Sequence, residues 1–336
     1  MTTSSTGKFA SLNTNAEAPA IKPQHLLVLC KASADPLRLD ILRVLNRDSF
    51  GVLELCLILA CKQSSMSHHL KILANAGLVT TRREGNSIFY RRPYKAIDSS
   101  LNELQQSLYS AVDKKEVCAS MQARISTVQQ ERSENSRAFF SLNADKFSQQ
   151  QEQVVAYELY GANTIELISS SLVDERDSVL EVGPGEGAFL AELAPRFKQV
   201  YALDNSQQML NKAQQFADQH GLANVSFICG DTKHKKLASL NMDCVVVNMV
   251  LHHTPSPADI FFDLATTLKK NGQLFITDLC SHDQTWARDA CGDLWLGFEP
   301  QDLSQWAAQA GFKTGESIYL TQRNGFRVQI RQFIKL

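Results

Sequence analysis

Three things are missing from this 336-residue sequence, and each absence removes a class of protein. No apolar run approaches the roughly twenty residues that a membrane-spanning helix needs, and the opening residues lack the basic-then-apolar order of a secretion signal. A cytoplasmic setting with no membrane partner is therefore expected. The eight cysteines, at 30, 56, 61, 118, 229, 244, 280 and 291, fall at no spacing that a paired metal site uses. Reduced thiols are expected, with Cys30, Cys56, Cys229 and Cys244 buried in the apolar runs that hold them. Strong net charge is missing too, at −1 overall. That neutrality conceals a segregation: residues 1–95 carry 13 Lys/Arg against 6 Asp/Glu, a balance of +7 that leaves −8 for the rest. A basic first segment joined to an acidic second one points to a polyanionic partner for the first alone.

The length exceeds most single hydrophobic cores, so two domains are expected. Residues 1–22, mostly Thr, Ser, Asn and Ala with few bulky side chains, read as disordered. From residue 23 to 95 the pattern is four short helices and a hairpin. Asp35-Pro36 starts one helix with a capping carboxylate and a proline in the first turn. The fourth helix turns Met66, Leu70 and Leu73 inward and leaves Ser64, Ser65, Ser67, His68 and Lys71 facing water. Two strands then flank the tip Glu84-Gly85-Asn86, with Arg82 and Arg83 on one arm and Arg91 and Arg92 on the other. A polar-faced helix suits a major groove, and arginines on a hairpin suit phosphates, so double-stranded DNA is the expected partner. Residues 96–135 read as a mostly helical tract, a helix and then a linker to the second domain, with Leu101, Leu104, Leu108 and Val112 on one face.

The second domain, residues 136–336, is organised around Ser178-Val-Leu-Glu-Val-Gly-Pro-Gly-Glu-Gly-Ala-Phe-Leu190. An apolar strand meets Gly183, Gly185 and Gly187, an amphipathic helix follows, and the next strand ends at Asp204. This is the βαβ order that holds a nucleoside, with glycines where the ligand nears the backbone and a carboxylate able to accept both ribose hydroxyls.

The motifs carry two resemblances. Met66-Ser-His-His-Leu-Lys-Ile-Leu73 with Ala76-Gly-Leu-Val79 resembles the ArsR-type bacterial repressors, which are winged helix-turn-helix proteins. The resemblance implies a homodimer formed through the N-terminal domain and the helix after the wing. The box that holds sensing cysteines in the best-known members corresponds here to Ser49-Phe-Gly-Val-Leu53, which has none, so no metal is expected. Glu181-Val-Gly-Pro-Gly-Glu-Gly187, Asp204-Asn-Ser206 with Met209, Gly230-Asp231 and Met249-Val-Leu-His-His253 resemble the class I S-adenosylmethionine-dependent methyltransferases. That implies an α/β, Rossmann-like domain whose seven-stranded sheet is parallel but for one strand. It also implies S-adenosylmethionine as cofactor, with Glu181, the three glycines, Asp204, Asn205, Met209 and Asn248 binding it, Asp231 on the adenine amino group and Thr232 beside it. Expected catalytic candidates are His252, His253, Asp278 and His282. Tyr157, Tyr160, Arg288 and Trp295 are expected to line the site of a small-molecule methyl acceptor. Two readings stay open: a regulator that also transfers methyl groups, and a non-catalytic transcription factor that senses S-adenosylmethionine or S-adenosylhomocysteine.

Overall fold

Local chemistry at the helix boundaries sets the N-terminal unit. The computed structural model describes residues 22–96, 98–143, 147–171 and 177–336, so all but the last residue of the segment read as disordered lies outside the described residues. Helix α1 spans Pro23–Ser33 and α2 spans Pro36–Val44, where Asp35 accepts the Arg38 amide at 3.0 Å. A two-residue strand β1 (Phe50–Gly51) leads into α3 (Val52–Leu59), and α4 (Gln63–Asn75) follows. Met66, Leu70 and Leu73 of α4 are fully buried, as their spacing requires. Strands β2 (Thr80–Glu84) and β3 (Ser87–Arg91) pair antiparallel, with Glu84 opposite Ser87 across a Gly85-Asn86 turn, and β1 completes a three-stranded wing.

The tract after the wing is two helices rather than one. Helix α5 is Asn102–Asp113, and α6 is Ala119–Asn143. The buried stripe of α6 is Met121, Ile125, Val128, Arg132 and Ser136, at helical intervals of three and four. Its first three members belong to the apolar core of the N-terminal unit, and its last two are polar. The helix runs on past residue 135, where the sequence suggested a linker would end, so the two units share it.

Helices α7 (Phe147–Val154) and α8 (Tyr157–Ser171) precede the large sheet. It is built from β4 (Ser178–Val182), β5 (Gln199–Asp204), β6 (Val225–Cys229), β7 (Met242–Asn248), β8 (Leu268–Leu279), β9 (Phe312–Thr321) and β10 (Arg327–Lys335). The connecting helices are α9 (Leu190–Leu193), α10 (Gln207–Gln219), α11 (Pro257–Thr267), α12 (Trp286–Cys291) and α13 (Pro300–Gln309). The strand order is β6-β5-β4-β7-β8-β10-β9, and only β10 runs against its neighbours. This is the seven-stranded, mostly parallel sheet that the sequence implied. Every residue of the central strand β7 is buried, and its alternate side chains enter two apolar clusters on opposite faces, Cys244 and Val246 in one and Val245 and Val247 in the other.

Of the four thiols expected to be buried, only Cys244 is. Cys30 and Cys229 are exposed and Cys56 is intermediate, because α1 and the edge strand β6 each keep a face or end in water. Among the described residues, no helix is long and apolar enough to cross a membrane.

The wing docks against the second domain. Arg82 and Arg91 both pair with Asp302 in the first turn of α13, and the Tyr94 hydroxyl donates to the same carboxylate at 2.6 Å. Glu84, fully buried, accepts the Leu296 amide at 2.6 Å, and Arg288 donates to the Glu84 carbonyl at 2.8 Å. Arg132 of α6 lies at the centre of the junction. Its guanidinium pairs with Glu54 at 2.7 Å, donates to the Ser49 and Pro255 carbonyls at 3.0 and 2.9 Å, and sits 5.1 Å from the rings of both Phe50 and Trp295.

Candidate cofactor site and DNA-facing surface

The glycine turn after β4 is shaped by its neighbours. Gly183 has φ +68°, and a Cβ there would come within 2.4 Å of Val250; Gly187 has φ +95° and packs against Ala213 of α10, where a Cβ would meet backbone at 3.2 Å. A bare backbone is thereby left facing a cavity of about 1040 Å³ at the C-terminal ends of β4, β5, β6 and β7, the edge where open α/β sheets bind ligands. Glu181, Gly183, Gly185, Asp204 and Asn205 line it, at and beyond the ends of β4 and β5. Met209, Asp231, Thr232 and Asn248 line it too, whereas Gly187 does not and packs against α10.

Several of these groups lack partners among the described residues: one carboxylate oxygen of Glu181 and both amide atoms of Asn248 are buried without a hydrogen bond there. Burial alone raises the Glu181 carboxyl to about 8. Burial also raises Asp204 to about 6 against the opposing amides of Ser206 and Asn205, the former donating at 2.8 Å. Unsatisfied acceptors and donors around a glycine cradle fit a polar nucleoside ligand such as S-adenosylmethionine. Thr232 instead donates to Asp263 at 2.6 Å, so its hydroxyl proton is already committed.

The expected acceptor and catalytic residues divide. Tyr157 and Tyr160 line the cavity, their rings edge to face at 5.6 Å. Of the four catalytic candidates only His253 reaches it. His252, its neighbour on the short turn after β7, points into the protein, with Nδ1 against Asp278 at 2.8 Å. Burial disfavours its imidazolium, yet Asp278 and Asp293 together raise it to about 9; burial, then His252, holds His253 well below the ordinary range. Asp278 is fully buried and also accepts the Leu251 and Leu279 amides at 2.9 and 2.8 Å, so it organises the turn and does not face the cavity. His282 packs edge-on against Phe326 outside the cavity, with burial and His252 lowering it to about 4. Trp295 and Arg288 are corrections as well. Trp295 donates to the Thr254 carbonyl at 2.8 Å and lies between Phe89, Arg82 and Arg132, while Arg288 holds the wing tip; both belong to the domain junction.

The residues missed from the sequence come from α6. Ser136, Arg137 and Phe140 line the same cavity, Ser136 donating to the His253 carbonyl at 3.2 Å and Phe140 meeting the His253 ring edge-on at 4.9 Å. The signal was present as the continuation of the Met121, Ile125, Val128 stripe at intervals of three and four across the expected domain boundary at residue 136.

On the N-terminal unit, Ser64, Ser67, His68 and Lys71 are exposed and Ser65 half-buried, as a recognition surface needs. The wing departs from expectation. Arg82 and Arg91 are held by Asp302, and Arg92 is buried, donating to the Leu42 carbonyl at 2.7 Å and pairing with Asp113 at 2.6 Å. Only Arg83 of the four stays exposed.

These features define a winged helix joined to an α/β domain that cradles a nucleoside cofactor. Residues 35–81 match the family described as bacterial regulatory protein, arsR family, and residues 180–276 match that described as methyltransferase domain. The chain is therefore an ArsR-type helix-turn-helix domain fused to a methyltransferase domain of the class that uses S-adenosylmethionine. It is 27% identical over 194 residues, 58% of this chain and 33% of the other, to a bifunctional biotin-biosynthesis protein of Cellvibrio japonicus. It is 33% identical over 85 residues, 25% of this chain and 40% of the other, to a protein-L-isoaspartate O-methyltransferase of a Ruegeria species. The chain thus spans well under half the length of each of these two relatives. Among solved structures, magnesium protoporphyrin IX methyltransferase from Synechocystis PCC 6803 with bound S-adenosylmethionine aligns with a TM-score of 0.45 at 18% identity, over 58% of this chain and 96% of the other.

Proposed function

We propose that the protein is a cytoplasmic, DNA-binding regulator whose second domain binds S-adenosylmethionine and transfers its methyl group to a small-molecule acceptor, and that occupancy of this site alters DNA binding. The observation that carries the reading is the single helix α6. Its first half is part of the core beneath the recognition helix, and its second half is a wall of the cofactor cavity. A helix is stiff along its axis, so a ligand that presses Phe140 or Arg137 acts on the packing of Met121, Ile125 and Val128.

Glu181, Asp204, Asn205, Asp231 and Asn248 would hold the cofactor, which supplies an electrophilic methyl on a sulfonium. The protein's contribution is to position an acceptor within the cavity beside His253, Tyr157 and Tyr160 and to keep water out. The cavity lies at the upper end of the range of about 300–1,000 Å³ usual for ligand sites, which leaves room for a second molecule beside the cofactor. Exposed Leu27 and Val28 on α1 and Leu104 on α5, with the start of α1 tied to the residues before α5 by a 2.6 Å contact of His25 with Asp98, support a homodimer through these helices. Such a dimer would present two α4 helices to an inverted repeat.

The sensor reading without turnover draws support from one feature: His252 and Asp278 turn away from the cavity and leave His253 the only one of the four catalytic candidates at its wall. Operator titration of the full chain, with and without saturating S-adenosylmethionine or S-adenosylhomocysteine, tests the coupling, and S-adenosylhomocysteine release across a panel of nucleophiles tests transfer. A several-fold shift in operator affinity is expected, with an equal reciprocal shift in ligand affinity. Coincident curves for both ligands would reduce the fusion to tethering, and a shift with no product from any acceptor would favour the sensor.

A further inference from the structure

Behind the cavity wall lies a cluster that methyl transfer does not require. Asp293 is 4% exposed, and among the described residues neither of its carboxylate oxygens has a hydrogen-bond partner. One of those oxygens is 3.8 Å from His252 Nε2 and 3.7 Å from His253 Nδ1, and the ligating atoms of the three residues all lie within 4.8 Å of one another. We propose that His252, His253 and Asp293 form a binding site for a divalent transition-metal ion of the zinc class, with Asp278 as the outer carboxylate that orients His252.

The donor set is two imidazoles and a carboxylate, which is the borderline-hard combination that such ions take, and which leaves one position of a tetrahedron open. Metal-to-donor bonds of about 2.0–2.2 Å require donors about 3.3–3.6 Å apart in a tetrahedron, so the two histidine-to-aspartate separations need to shorten by only a few tenths of an ångström, and the two ring nitrogens, within 4.8 Å of each other, close the rest by small ring rotations. The orientation is already made. Asp278 accepts from His252 Nδ1 at 2.8 Å, which selects the tautomer whose Nε2 carries the lone pair toward Asp293, the arrangement that outer carboxylates impose on metal-bound histidines. The Leu294 and Trp295 amides both donate to the His252 carbonyl, at 2.9 and 3.1 Å, and so clamp the segment bearing Asp293 onto the histidine turn. His253 Nδ1 makes a long 3.3 Å contact to the Gly292 carbonyl, which a metal bond would replace.

Formal charge agrees. With the ion bound and both imidazoles neutral, a dication balances the two carboxylates, Asp278 and Asp293, and takes the place of the proton that His252 otherwise holds, so no net charge is left in the interior. Because His253 also lines the cavity, an ion here lies one side chain from the bound ligand, with its open position available to water or to an oxygen atom of an acceptor. The expectation of no metal rested on the absent cysteine box, and Asp293, 40 residues from His253, shares no ligand spacing with it that the sequence could show.

The test uses the full chain, stripped with chelator and titrated with cobalt(II), then with zinc(II) in competition. The expected result is one equivalent bound, with the visible absorption of a four- or five-coordinate ion and no sulfur-to-cobalt charge-transfer band, which separates this site from the eight cysteines. Asp293→Asn, close in shape, should lower affinity at least tenfold, and Asp278→Asn should lower it by about ten- to a hundredfold. His253→Gln, on the cavity wall, gives an independent reading should either aspartate variant fold poorly. Absence of stoichiometric binding would overturn the proposal and leave a proton shared between His252 and Asp293. So would a thiolate charge-transfer band, or an affinity that none of these variants changes.

Discussion

The recognition helix and the wing belong to one small domain and read alike in sequence, as polar or basic surfaces made for DNA, yet the structure treats them differently. Helix α4 keeps Ser64, Ser67, His68 and Lys71 in water. The wing has three of its four arginines turned inward, Arg82 and Arg91 to Asp302 and Arg92 to Asp113. The difference is one of what lies opposite. Nothing within the described residues covers the outer face of α4, while the wing meets an acidic residue and a cluster of aromatic rings on the second domain. Positive charge in a sequence therefore marks a need for negative charge nearby, and it does not say whether phosphate or carboxylate supplies it.

The comparison can be broken or sharpened by experiment, beginning with the largest effect. Arg132→Ala removes a buried cation that joins Glu54 to the Pro255 carbonyl across the junction, and should cost about 3 kcal/mol in denaturant unfolding. If the wing is docked in solution as drawn, the same variant should also split a single unfolding transition into two; one unsplit transition of normal midpoint would mean the contact contributes little. Next, Asp204→Ala should weaken S-adenosylmethionine by about 1–3 kcal/mol in calorimetry, because a hydrogen-bonded charge is left unreplaced. It should also move any ligand effect on operator binding to correspondingly higher ligand concentration while leaving the ligand-free DNA affinity intact, and an effect that kept its wild-type concentration dependence would separate α6 from the cavity.

A smaller effect is expected from Asp302→Asn, which keeps the side chain's shape but releases its hold on Arg82 and Arg91. Non-specific duplex binding should tighten, and its salt dependence should steepen by about 0.9 for each arginine that reaches a phosphate. An unchanged slope would show that the docked wing never approaches DNA. Lys71→Ala on α4 should instead flatten the slope by about 1. The smallest effect is that of pH on the cofactor site. Asp204 is raised to about 6, so S-adenosylmethionine affinity should fall as the pH drops through that value and level off above it, as read by calorimetry in matched buffers. The sign for stability is reversed. The folded form holds the proton more tightly than an unfolded carboxyl of pKa about 3.9, so this group's contribution to ligand-free stability declines as pH rises between about 4 and about 6.

What the sequence determined by itself was whatever depends on neighbours a few residues away. Met66, Leu70 and Leu73 had to share one face of a helix, and Asp35-Pro36 had to begin one. Gly183 and Gly187 had to turn a strand into a helix, and Asp204 and Asp231 had to fall at strand ends on the edge where a ligand sits. Helical and strand periods, and the few dihedrals that glycine alone tolerates, are properties of short segments and are written in short segments. What only the tertiary structure decided was which of two adjacent histidines faces the cavity, where Trp295 and Arg288 go, and whether the wing arginines are free. Those outcomes turn on partners far along the chain: Asp278 lies 26 residues from His252, Glu84 lies 204 from Arg288, and Asp302 lies 211 from Arg91. The same holds for α6, whose polar half resembles a solvated linker until packing places it against the cavity. A charged or aromatic side chain has several acceptable partners of similar energy, and the fold chooses among them by bringing one within reach before the others.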